Sequence, residues 1–151
     1  MQGTERILAA IGFSKYSWGI LEYAARLATE LDADLIVANV VNIRDMQAVS
    51  GIQSMGYEVD PQEYKDGVIK ERKAELETLL EGIPLQRERF RTLFRVGHPL
   101  DILLKILKEE KIDMVVMGPK GKTDLSHVLV GSVAEKMFRH CPVPLVSYRM
   151  K

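Results

Sequence analysis

Apolar residues fall along this chain in two alternating rhythms. Short, nearly continuous apolar runs occur at Ile7–Ile11, Leu35–Val41 and Ile112–Met117. Their length and β-branched content read as strands, and an unbroken run such as LIVANVV is a strand buried on both faces. Longer stretches with helical spacing lie between them. Leu21, Ala24, Ala28 and Leu31 form one stripe, on a helix that either Ser14 or Ser17 caps. Asp60, Pro61 and Glu63 open a helix that runs to about Glu81 and stops at Gly82, its KERKAELE run marking a solvated face. Pro99 opens another, striped by Leu100, Leu103, Leu104 and Leu107. Ser132 and Glu135 read as a capping box for a last helix ending near His140.

Two further strands complete the pattern. Arg87–Val96 alternates polar and apolar, as a strand with one wet face at a sheet edge does. Val143–Tyr148 lies among Pro142 and Pro144, which also suits an edge. Asn42–Val59 carries Gly51 and Gly56 and reads as irregular. Its Ile43, Met46, Val49, Ile52 and Met55 make it an apolar loop that either covers a ligand or partner or is a mobile surface segment. Five strands alternating with four helices predict an α/β fold, a parallel sheet joined by helical crossovers.

Composition narrows the function classes. The 151 residues suit a single domain, 1–151. Lys plus Arg and Asp plus Glu number 21 each, so the basic excess of a nucleic-acid binder is missing. No apolar run reaches membrane-span length, and the polar start Met1–Arg6 does not resemble a signal peptide. The single cysteine, Cys141, allows no intrachain disulfide. A cytoplasmic location with no membrane or nucleic-acid partner is expected.

The chemistry concentrates in Met117–Ser132, MGPKGKTDLSHVLVGS. It joins a strand end to a helix start, where α/β sheets hold their ligands. Gly118, Gly121 and Gly131 would let backbone amides approach an anion, and the helix N-terminus adds partial positive charge. The Ser132 hydroxyl can donate to a phosphate, and Lys120 and Lys122 can screen one. A P-loop is excluded, because the position five before Gly121 is Val116. A dinucleotide fingerprint after the first strand is absent, since Gly12 stands alone there.

The spacing Gly118-x2-Gly121-x9-Gly131-Ser132 resembles the ATP-binding signature of universal stress proteins, G-x2-G-x9-G-[ST]. The flanks are similar too: the aspartate-led strand from Asp113, the GSVAEK helix start, Gly97-His98-Pro99 before a helix, and the opening Ile7–Ile11. The resemblance implies a Rossmann-like fold of the adenine nucleotide alpha hydrolase type, with strand order 3-2-1-4-5 and helices on both faces. It puts phosphate contacts at Gly118, Gly121, Gly131 and Ser132, flanked by Met117 and Val133. It puts the base at Val40 and the adenosine near Ala10. Gly12 stands where the family usually has an aspartate that contacts nucleotide. Loss of such a hydrogen bond costs on the order of 1 kcal/mol, weakening binding or changing the preferred nucleotide. The implied ligand is ATP, ADP or AMP, and the implied assembly is a homodimer through the last strand.

The remaining candidates read as structure. His98 sits at a helix start and His140 at a helix end, Tyr16 and Trp18 read as packing, and Cys141 as a buried thiol. His127 lies inside the glycine segment. No His or Cys pair has metal-ligand spacing, so magnesium would arrive only with phosphates, with Asp124 as the candidate to hold it through water. No carboxylate or histidine is placed to orient a water, so slow ATP hydrolysis is the most enzymatic activity expected. Two functions follow: a nucleotide-responsive regulatory module with an unknown protein partner, or an interaction module that has lost its nucleotide.

Overall fold

The computed structural model describes residues 3–120 and 130–150. Five strands form one parallel sheet: β1 (Arg6–Ala10), β2 (Asp34–Asn42), β3 (Phe90–Gly97), β4 (Met114–Met117) and β5 (Leu145–Ser147). Their order is β3-β2-β1-β4-β5, as the resemblance implies. In register, Leu8 of β1 lies beside Ile36 of β2 and Val115 of β4. The helices are α1 (Ser17–Leu31), α2 (Ile43–Ser54), α3 (Pro61–Leu80), α4 (Pro99–Glu109) and α5 (Ser132–His140).

Strand alternation divides the core into two layers. Ile7, Ala9, Leu35 and Val37 face α1 and α3, meeting Ile20, Leu21, Ala24, Leu76 and Leu80. Leu8, Ile36, Ala38 and Val115 face α4 and α5, meeting Leu103, Ile106, Leu107 and Met137. Each layer needs the other's strands, so the sheet is covered on both sides. Among the described residues no helix is long and apolar enough to cross a membrane.

Several local expectations change. Ile43–Ser54, read as loop, is helical, with the Asn42 side chain capping it by accepting from the Arg44 amide. Val49 is its buried residue, while Ile52 and Met55 are exposed. The α1 cap is Tyr16, not a serine; the Ser14 hydroxyl instead accepts from the Tyr16 amide at 3.2 Å. Gly131, not Ser132, caps α5, with no side-chain cap bond, so the expected Ser132–Glu135 box does not form. Residues Arg87–Arg89 make a 3-10 turn before β3. Trp18 is half exposed, whereas Tyr16 is buried.

Other expectations hold. Asp60 caps α3 by accepting from the Gln62 amide at 3.0 Å, with Pro61 in the first turn. Gly82 follows α3 with φ +80°, a conformation that glycine adopts without a Cβ penalty. Strands β3 and β5 are the two sheet edges. The Arg89 guanidinium reaches the carboxylates of Asp34 and Asp32 from the β3 edge, and its hydrogen bonds to them raise its pKa above the ordinary arginine value.

Candidate functional site

The strands' carboxyl ends open into a cavity of about 400 Å³. The layout follows from the sheet order: β1 lies centrally, so the turns after β1 and β4 flank one crevice. Ala10, Ile11 and Gly12 come from the end of β1, and Ala38, Asn39 and Val40 from β2. Pro99 and Leu103 of α4 close one side. Met117, Gly118 and Lys120 come from the end of β4, and Gly131, Ser132, Val133 and Ala134 from the start of α5.

This constellation combines apolar and polar groups. Ala10, Val40, Pro99 and Leu103 offer apolar surface suited to a flat ring. Ser132, Val133 and Ala134, which also line the cavity, occupy the first turn of α5, whose amides have no intrahelical acceptor. That turn carries the positive end of the helix dipole toward the cavity. The Gly131 amide is already used, donating to the Pro119 carbonyl at 2.6 Å, which draws the two ends of the glycine segment together. A Cβ on Gly118 would lie 3.2 Å from Ile20 Cδ1 and 3.3 Å from Tyr16 Cβ, so glycine here lets the end of β4 sit tightly on α1. The Tyr148 amide donates to the Met117 carbonyl at 2.8 Å, fixing the same strand end from the other side.

Ala10, Gly12, Val40, Met117, Gly118, Lys120, Gly131, Ser132 and Val133 therefore share one cavity. Gly121 and Lys122, with Asp124 and His127, lie outside the described residues. Among the described residues, nothing from 42–59 lines the cavity, so that segment does not cover it as one sequence reading allowed. His98 caps α4 through its backbone, and His140 ends α5. Cys141 follows α5, partly buried against the second core layer.

Sequence reasoning passed over Asn39. The residue is 4% exposed. Its Nδ2 donates to the Ile11 carbonyl at 2.7 Å, and its Oδ1 accepts from Arg72 of α3. The available signal was a lone amide inside the apolar run LIVANVV, a place where a polar group needs partners.

Comparison with known proteins gives the family and the fold. The sequence matches the universal stress protein family over residues 3–149. The chain belongs to that family. Among curated relatives, universal stress protein MJ0577 of Methanocaldococcus jannaschii is 24% identical over 156 residues, spanning 97% of this chain and 96% of its own length. Universal stress protein YxiE of Bacillus subtilis is 29% identical over 148 residues, spanning 93% and 97%. The MJ0577 structure superposes with a TM-score of 0.80 at 24% identity, covering 99% of both chains. A universal stress protein in complex with cAMP superposes at 0.69 with 18% identity, covering 98% of both. These structural likenesses establish the universal stress protein fold.

Proposed function

We propose that this universal stress protein binds an adenine nucleotide, ATP or its ADP and AMP relatives, in the cavity at the strand ends, and that occupancy regulates a protein partner. The observation that carries the reading is that Gly118, Lys120 and the first turn of α5 line the same cavity as the apolar Ala10, Val40, Pro99 and Leu103. Its volume, about 400 Å³, lies in the range of small-ligand sites. Phosphate would take the amides of Ser132 and Val133, the Ser132 hydroxyl and the Lys120 charge. The base would lie toward Val40 and Leu103, with the adenosine near Ala10. Binding of cAMP by a structural relative supports the ligand class.

Gly12 offers no side chain to the ligand, so affinity rests on the phosphate side. Magnesium would be carried in by the phosphates. Hydrolysis is not part of the proposed role. A homodimer through β5 is also proposed, because the Phe138 side chain stands 74% exposed on α5 beside a groove that runs to Leu145 and Ser147 of β5. Association there would cover an apolar ring and an unpaired strand edge together.

The test is Gly131→Val. This substitution places a branched side chain at the cap of α5, next to the first-turn amides proposed to hold the phosphate. ATP binding measured by calorimetry should be lost while the circular dichroism spectrum is kept; undiminished affinity would reject the site. A second reading, an interaction module without nucleotide, is favoured by Gly12 and by the exposed Met55 and Tyr57 after α2. Absence of binding by the wild-type chain at near-millimolar nucleotide would select it.

A further inference from the structure

The turn after β1 forms one wall of the cavity through Ile11 and Gly12, and its conformation is not one the backbone adopts freely. Phe13 has φ +55°, the left-handed region that a residue with a Cβ visits at a cost and keeps only when its surroundings over-determine it. Two side chains from elsewhere in the fold supply that constraint. The buried Asn39 amide donates to the Ile11 carbonyl at 2.7 Å. Arg72, midway along α3, donates to the Asn39 oxygen and lies over the Phe13 ring at 6.0 Å. The guanidinium has no acceptor of its own, so it fixes which way the Asn39 amide faces: oxygen to Arg72, nitrogen to Ile11. A charged donor makes this the stronger link of the chain.

We infer that Arg72 and Asn39 are positioning residues for the cavity, holding the Ile11–Phe13 turn so that Gly12 presents its backbone to the ligand. This rests on the nucleotide-binding reading above. It adds that α3, which lines no part of the cavity among the described residues, sets the affinity of the site through a relay from Arg72 to Asn39 to the Ile11 carbonyl. The relay matters most here because Gly12 brings no side chain that could fix its own position.

The experiment compares wild type with Arg72→Ala, Arg72→Lys and Asn39→Asp by ATP calorimetry, thermal melting and amide NMR of the unliganded protein. Arg72→Ala removes the orienting charge from a partly exposed position, so the protein should fold. ATP affinity should fall about five- to tenfold, the worth of roughly one ordinary hydrogen bond. Arg72→Lys, which keeps a donor and a charge, should recover part of it. Asn39→Asp keeps an acceptor for Arg72 but sets a carboxylate against the Ile11 carbonyl, and should weaken ATP at least as much. In the unliganded Arg72→Ala protein the Gly12 and Phe13 amide resonances should move while that of Ile106 stays. Leu80→Ala, a core truncation away from the cavity, should lower the melting temperature without changing affinity. ATP binding within twofold of wild type in both Arg72→Ala and Asn39→Asp, or unmoved Gly12 and Phe13 resonances, would overturn the inference and leave the nucleotide site standing. Failure of the wild type to bind ATP would instead overturn the site and the inference with it.

Discussion

Gly97 closes β3 one residue before the cap of α4, and a methyl group there has little room. A Cβ at this position would lie 2.6 Å from Ile102 Cγ1 and 2.8 Å from its Cδ1, against a carbon–carbon optimum of about 3.5–4.0 Å. Ile102 cannot easily step aside, because its amide donates to the His98 carbonyl at 3.0 Å and β-branched side chains in helices hold one χ1 rotamer. Gly97→Ala should therefore push the start of α4 outward, and with it Pro99 and Leu103, which line the cavity. Overpacking of this kind costs about 1–3 kcal/mol, partly offset by about 0.4–1 kcal/mol from a less flexible unfolded chain. The net effect should be a loss of about 0–2.6 kcal/mol. Urea denaturation followed by circular dichroism measures it. The decisive comparison is a double-mutant cycle with Ile102→Ala, which removes both clashing atoms. On that background Gly97→Ala should be neutral or stabilising, giving a coupling of about 1–3 kcal/mol. Effects that add within about 0.5 kcal/mol would refute the clash as the reason for glycine.

Three further outcomes follow from single observations. Asp60→Ala removes the α3 cap bond to the Gln62 amide and should cost about 1 kcal/mol, with faster amide exchange in the first turn of α3; unchanged exchange there would count against the cap. The Ser17 hydroxyl is buried with no hydrogen-bond partner among the described residues, so Ser17→Ala should be neutral or stabilise by up to about 1 kcal/mol. A loss larger than that on urea denaturation would mean that the hydroxyl is bonded. Phe138→Asp puts a charge where the proposed dimer buries a ring and should shift the protein to monomer in sedimentation velocity; an unchanged sedimentation coefficient would move the dimer contact elsewhere or remove it.

Much of this architecture could be read from residue pattern, because the strands are the places where burial is continuous. Leu35–Val41 and Ile112–Met117 are apolar because β2 and β4 have helices on both faces, and the edge positions of β3 and β5 show in alternation and in proline. Helix α2 was hidden for the converse reason. It buries Val49 alone, so its apolar stripe is thin, and Gly51 reads as a turn although here it lies within a helix. The cue was present in Asn42, a good cap just before Ile43, with Met46 and Val49 at three-residue steps. Helix α5 misleads differently: Ser132 and Glu135 have the spacing of a capping box, but Gly131 takes the cap position and leaves Ser132 inside the first turn, facing the cavity.

The site divides along the same line. Residues carried by local pattern, the glycines after β4 and the start of α5, were visible because a strand, a glycine segment and a helix follow one another in sequence. Asn39 and Arg72 were not, because they meet across 33 positions and the fold alone brings α3 over the turn after β1. No pattern within either segment encodes that contact beyond the oddity of an amide in an apolar strand.

The central claim, that the strand-end cavity holds an adenine nucleotide, is tested most directly by mass spectrometry of the protein purified without added ligand and then denatured, followed by calorimetric titration of the ligand-free chain with ATP, ADP and AMP. The account predicts a released adenine nucleotide or saturable binding that depends on the phosphates, since affinity rests on Lys120 and the first turn of α5. No released nucleotide, together with no heat of binding for any of the three at near-millimolar concentration, would contradict it.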